Sequence, residues 1–131
     1  MPQMLKYVRE HLPKATVLIF TNGTMLTPQI MDEIADCFDQ MYINNYNTKY
    51  ELLPSSKAVF EYVKANEAKF CKCKISIQMR YANELLANRA GTAPNKPATQ
   101  KKYKWLCLMP YTDMCIFPDG KVGLCCNDTK E

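Results

Sequence analysis

Residues 107–128 hold the densest chemistry in the chain: Cys107, then Gly120 after twelve residues, then Cys125 and Cys126 after four more, closed by Asn127 and Asp128. Thiolates match iron and zinc, and a hairpin turning at Asp119-Gly120 would bring a cysteine before its first strand close to one at the end of its second. Two or three thiolates fall short of the four ligands that a zinc or iron–sulfur centre takes, so the remaining ligands are expected from outside the chain. The same residues suit a protein core, where free cysteine behaves as a small hydrophobe, and spacing alone leaves ligation and packing both open. Within the segment Cys107 and Cys125 are the stronger ligand candidates. Cys126 would point opposite Cys125 on a strand, and Cys115, in mid-strand, suits packing.

A second set of chemistry-bearing residues lies at predicted strand ends. Thr21-Asn22-Gly23-Thr24 follows an apolar run, Asn44 and Asn45 close the next one, and Arg80 closes a third. The carboxyl ends of parallel strands are where α/β sheets bind ligands. An inward guanidinium needs an anionic partner such as a carboxylate or phosphate. Each signal has a plainer reading, since Asn-Gly is first of all a turn dipeptide; three polar strand ends in register carry more weight than one. Cys37, Cys71 and Cys73 read as core. His11, the one histidine, reads as surface, so the usual histidine acid–base and zinc-hydrolase schemes lack their commonest parts. Neither a phosphate-cradling glycine loop nor a nucleophile elbow is present, and no pair of carboxylates stands at a catalytic spacing.

These residues need elements to hold them. The pattern predicts a helix over 4–12, a strand over 15–20, and a helix starting at Thr27-Pro28, where the hydroxyl caps free amides and proline fits the first turn. Ile30, Met31, Ile34, Cys37 and Phe38 form its inner stripe. A strand over 40–45, a helix over 56–68 with Val59, Phe60 and Val63 inward, and a strand over 71–81 follow. The last alternates, with Cys73, Ile75, Ile77 and Met79 on one face and Lys74, Ser76, Gln78 and Arg80 on the other. Strands joined by helices of this length require crossovers and a parallel sheet. Such strands are usually apolar on both faces, so the polar face is expected to line a cavity or barrel interior. Residues 90–101, rich in Gly, Thr, Pro and Ala, read as a boundary. A hairpin is expected from 113–117 and 122–126.

Size and composition bound the rest. The 131 residues allow one core and an appended subdomain. With 47% hydrophobic and 23% charged residues the chain is globular in type. The net charge of +4 is spread out, and Lys96, Lys101, Lys102 and Lys104 read as a solvated linker without a nucleic-acid framework. No apolar run reaches the ~20 residues of a membrane span, and the first residues lack a signal peptide's apolar centre. Seven cysteines, an odd number, argue against a secreted disulfide framework. A cytoplasmic protein is expected.

Together, residues 20–27 (Phe-Thr-Asn-Gly-Thr-Met-Leu-Thr), Asn88-Arg89-Ala90-Gly91 and the Cys107, Gly120, Cys125, Cys126, Asn127, Asp128 series resemble the radical S-adenosylmethionine (SAM) enzymes that carry a C-terminal SPASM auxiliary-cluster domain. The resemblance covers essentially the whole chain, and the cysteine series is its most specific part. It implies a partial (β/α) barrel fragment of three parallel strands with covering helices plus a cysteine-bearing hairpin. Residues 1–89 would be the C-terminal half of the barrel, 90–106 a linker and 107–131 an incomplete SPASM-like module. In the family, a [4Fe-4S] cluster on a Cys-x3-Cys-x2-Cys loop passes an electron to SAM, whose 5′-deoxyadenosyl radical abstracts a substrate hydrogen. That loop and the Gly-Gly-Glu segment that binds the SAM amino group are absent here, and the resemblance places both upstream of Met1.

Carried over residue by residue, the resemblance implies SAM or substrate contacts at Asn22, Asn44 and Arg80, and auxiliary-cluster ligands at Cys107 and Cys125, with Cys126 in the adjacent slot. The implied cofactors are an auxiliary [4Fe-4S] cluster with an incomplete ligand set and SAM in the parent protein. The implied partner is a peptide, protein or small-molecule substrate, with neither nucleic acid nor membrane, and an open sheet edge would permit self-association. The parent would be an oxidoreductase or maturase, this part of it inert. A rival reading is a small zinc-binding or adaptor domain using Cys107, Cys125 and Cys126, and a third is an α/β interaction domain whose cysteines are core.

Overall fold

The computed structural model describes residues 1–82, 108–117 and 119–123. It divides into two units, residues 1–84 and 85–131. The first unit runs α1 (Pro2–His11), β1 (Leu18–Thr21), α2 (Pro28–Ile34), β2 (Gln40–Tyr46), α3 (Pro54–Ala65), α4 (Glu67–Phe70) and β3 (Lys74–Arg80). The second contains α5 (Met109–Thr112) and the antiparallel pair β4 (Cys115–Ile116) and β5 (Val122–Gly123).

The three strands of the first unit form a parallel sheet in the unbroken order β1-β2-β3. Leu18 pairs with Gln40 and Gln40 with Lys74, and this register continues to Tyr46 opposite Arg80. Side chains therefore stand in rows across the sheet. Ile19, Met41 and Ile75 share one row of one face, and Thr21, Ile43 and Ile77 the next. That face carries the core, where Leu5 of α1, Met31 and Ile34 of α2, Val59 of α3 and Phe70 of α4 pack with Val17, Ile19, Met41 and Ile43. α2 lies between α1 and α3. Every helix of the unit thus contributes to a core on the same side of the sheet.

Local chemistry explains the boundaries. The Thr27 hydroxyl accepts the Ile30 N–H at 3.3 Å and Pro28 takes the first turn, as the sequence suggested. α2 is shorter than its apolar stripe: Cys37 and Phe38 are buried beyond its last turn, where the Cys37 N–H reaches the Ile34 carbonyl at 2.8 Å. The single helix expected over 56–68 is two helices. Asn66 breaks it, with φ −124° and ψ 38°, and its side-chain amide donates to the Tyr62 carbonyl at 2.8 Å. The Tyr62 hydroxyl and the Lys69 ammonium then converge on Asp32, clamping both pieces to α2. Phe60, expected inward, is half exposed.

The third strand begins later than the alternation suggested. Cys71 to Cys73 form a turn, and Cys71 is exposed, correcting its assignment to the core. Cys73 does reach the core edge, where its thiol donates to the Ala35 carbonyl at 3.0 Å. Burial, helped by Asp36 and Asp39, pushes that thiol above its ordinary pKa and keeps it protonated. Asp39 ties the strands' entry points together. Its carboxylate accepts from the Val17 N–H at 2.7 Å and from Arg9 of α1 at 2.8 Å.

In the second unit, Cys115 pairs with Gly123 and Ile116 with Val122. Gly120 adopts φ 86°, the left-handed conformation that the Asp-Gly turn requires, and its N–H reaches the Phe117 carbonyl at 2.8 Å. β4 is shorter than the strand expected over 113–117, and the helix α5 before it was not anticipated. Cys115 is half-buried, in keeping with a packing role.

Candidate functional site

The face of the sheet away from the helices is uncovered among the described residues. On β1, Leu18 is 49% and Phe20 69% exposed, where buried apolar side chains would be the rule for a parallel sheet covered on both faces. The facing rows are polar or aromatic. Leu18, Gln40 and Lys74 form one, Phe20, Tyr42 and Ser76 the next, then Asn44 with Gln78, and Tyr46 with Arg80. The Phe20 and Tyr42 rings stack with centroids 5.0 Å apart and planes 11° apart. The Tyr42 hydroxyl donates to Gln40 Oε1 at 2.8 Å, and Arg80 donates to Gln78 Oε1 at 3.2 Å.

Asn22, Asn44 and Arg80 all come at the carboxyl ends of their strands, and they are differently engaged. Asn22 is exposed one residue beyond β1. Its Oδ1 accepts from the Thr24 N–H at 3.1 Å and the Thr24 hydroxyl at 2.9 Å, so the oxygen holds the turn. Asn44 is half-buried on the open face, level with Gln78. Arg80 is the last residue of β3 on the same face, half-buried. Cys107, Cys125 and Cys126 lie outside the described residues. Among the described residues, no group of three His, Cys, Asp or Glu side chains is placed to hold a metal. His11 is exposed, stacked on Tyr7 at 3.9 Å and bonded to its carbonyl.

Asn45, adjacent to Asn44, does different work. It is 0% exposed on the packed face. Its amide nitrogen donates to the Glu51 carbonyl at 2.9 Å and its oxygen accepts the Leu53 N–H at 2.8 Å, which fixes the loop entering α3. The alternation of a strand separates the two asparagines onto opposite faces. Gly23 supports the same rim from the other side. It adopts φ 74°, and a Cβ there would lie 2.6 Å from Ile43 Cγ2 and 3.3 Å from Ser56 Oγ. Only glycine lets this turn pack against the start of α3.

Sequence reasoning missed the aromatic pair. Phe20 closed the apolar run of the strand expected over 15–20 and Tyr42 fell unremarked inside the strand expected over 40–45; the available signal was that both precede polar strand ends.

No match emerges among protein-family models, curated proteins or solved structures.

A separate apolar groove of about 670 Å³ runs between α3 and the packed face of β3, bounded by Val59, Phe60, Val63, Ile75, Ile77 and Met79. Its lining is mostly apolar, with Lys64 and Glu67 the charged residues on it.

Proposed function

We propose that the chain is the second half of a radical SAM barrel joined to the opening of an auxiliary-cluster module, and that its open sheet face lines the reaction chamber of the parent enzyme. The observation that carries this reading is the pairing of an unbroken parallel strand order with helices, among the described residues, on one face only. A doubly wound sheet reverses its strand order and covers both faces with helices; a (β/α) barrel keeps one face inward and needs no helix there. The polar and aromatic residues on that face then have a reason to be where they are.

The described side chains fit SAM by chemistry. Arg80 suits a carboxylate, of SAM or of the substrate, and Asn44 with Gln78 offers the amides that a ribose or adenine edge requires. The cluster and SAM supply an electron and a hydrogen-abstracting radical when bound. What this chain's residues contribute is orientation and exclusion of water around that chemistry. Cys107 and Cys125, with Cys126 beside them, would hold part of the auxiliary cluster, and the boundary between barrel and module would fall over 90–106. The substrate would be a peptide, a protein or a smaller molecule.

The test is anaerobic reconstitution of the whole protein encoded around this chain. The reading expects about four irons per cluster, SAM-dependent release of 5′-deoxyadenosine, and loss of auxiliary-cluster iron on replacing Cys107 and Cys125 by Ala. Stoichiometric zinc without iron, or no cleavage of SAM, would sink it.

A further inference from the structure

We propose that two copies of this chain associate about a two-fold axis, α1 of each lying in the apolar groove beside α3 of the other and β1 of each pairing in parallel with β3 of the other. The six strands would then close into one ring. Both surfaces belong to the first unit, residues 1–84.

α1 and α3 are the two ends of the helical row, since α2 lies between them. Each has an apolar flank without a neighbour among the described residues. On α1, Met4, Tyr7 and His11 fall three and four residues apart and so share one stripe, beside the Leu5 and Val8 that pack in the core. Met4 is 63% and Tyr7 62% exposed, so this stripe is the flank turned away from α2. The stack of Tyr7 on His11 widens its apolar surface.

On α3 the corresponding flank is Phe60, 50% exposed, and beside it the groove of about 670 Å³ opens over Ile75, Ile77 and Met79 of β3. Ile75 and Ile77 are only partly buried, whereas Ile19, Met41 and Ile43 in the same rows of the sheet are buried. What the core lacks over β3 is one more helix, set about 8–10 Å from α3 as packed helices are. α1 is such a helix: its inner face already packs on a parallel sheet, and its outer flank is apolar.

Orientation and charge agree with this docking. Arg9 in the last turn of α1 bonds to Asp39 just before β2, and α3 ends at Ala65 ahead of α4 and β3, so both helices finish at the amino end of the sheet. Set level, Tyr7 of one copy stands beside Phe60 of the other, and Glu10 beside Lys64. The first pair is aromatic and the second opposite in charge, and neither Glu10 nor Lys64 takes part in the described ion pairs. The same docking lays β1 against β3, whose outer edges have no paired strand among the described residues. Repeated by a two-fold axis, the contact closes on itself and leaves no edge, with the polar and aromatic face turned inward.

Sedimentation velocity and light scattering on the 131-residue chain test the interface, the expected mass being twice 15.1 kDa. Glu10→Lys and Lys64→Glu, both at exposed positions, set like charges against each other. Each should weaken the dimer at least about fivefold with the fold intact by circular dichroism, and the double reversal should restore it. Met4→Asp and Phe60→Asp should each give monomers, and their mixture should recover part of the dimer, because the intact α1 of one copy meets the intact groove of the other. A monomer at every concentration, an open series of larger oligomers, a dimer indifferent to the single reversals, or no recovery in the double reversal or the mixture would each overturn the proposal. The interface does not rest on the radical SAM reading. A dimer of this kind with no SAM cleavage by the whole protein keeps the interface and removes the chemistry; SAM cleavage with a chain that stays monomeric does the reverse.

Discussion

Asn44 and Asn45 show how far single residues can be read. The sequence marked both as polar groups at a strand end, but the alternation of β2 gives them opposite tasks: Asn45 is buried between the Glu51 carbonyl and the Leu53 N–H, and Asn44 faces the open side. Asn45→Ala would leave both backbone groups without their partner and should destabilise the fold by about 1–3 kcal/mol in urea unfolding. Asn44→Ala should stay within about 0.5 kcal/mol of wild type, as an open-face substitution would. Equal losses at the two positions would contradict the assignment of faces. Gly23→Ala should cost roughly 2–4 kcal/mol, combining a left-handed backbone with overpacking against Ile43. The sequence could name Asn22-Gly23 as a turn, because that chemistry is local. It could not show that Phe20 and Tyr42 stack, since that depends on how strands far apart in sequence come into register.

At the scale of elements, periodicity located three strands and the helices between them, and failed where tertiary contacts outweigh local pattern. The break at Asn66 serves the convergence of Tyr62 and Lys69 on Asp32, a contact 30 or more residues away that no local window contains. β3 starts at Lys74, whose N–H reaches the Asp39 carbonyl at 2.8 Å, and the Cys73 thiol just before it donates to the Ala35 carbonyl in the α2–β2 connection. The same connection carries a titrating latch. The Val17 N–H, and then the Arg9 guanidinium, hold the Asp39 carboxyl below its ordinary pKa. A carboxylate with a depressed folded pKa stabilises the fold above its unfolded value of about 4, and that contribution disappears as pH falls through the folded value. Stability measured from pH 6 downward should therefore fall in the acid range, and Asp39→Asn should flatten that part of the profile while lowering stability at neutral pH. An unchanged acid limb in Asp39→Asn would remove the latch from the account.

At the scale of the whole molecule, the order β1-β2-β3 and the helices of one layer leave, among the described residues, one face whose polar and aromatic rows require a use. The sequence reached this face through the alternation of β3 alone, and the parallel register extended it across the sheet. The cysteine series carries the family resemblance, and Cys107, Cys125 and Cys126 lie outside the described residues, so the proposed function stands on the sheet. The described residues include no helix long and apolar enough to cross a membrane, in keeping with the absence of an apolar run of that length. Hydroxyl-radical footprinting of the whole protein, with and without saturating SAM, tests the central claim most directly. If the open face lines the reaction chamber, Phe20, Tyr42 and Tyr46 should lose reactivity when SAM is added while Tyr7 and Phe60, which lie on the helices, keep theirs. Unchanged reactivity of Phe20, Tyr42 and Tyr46 would contradict it.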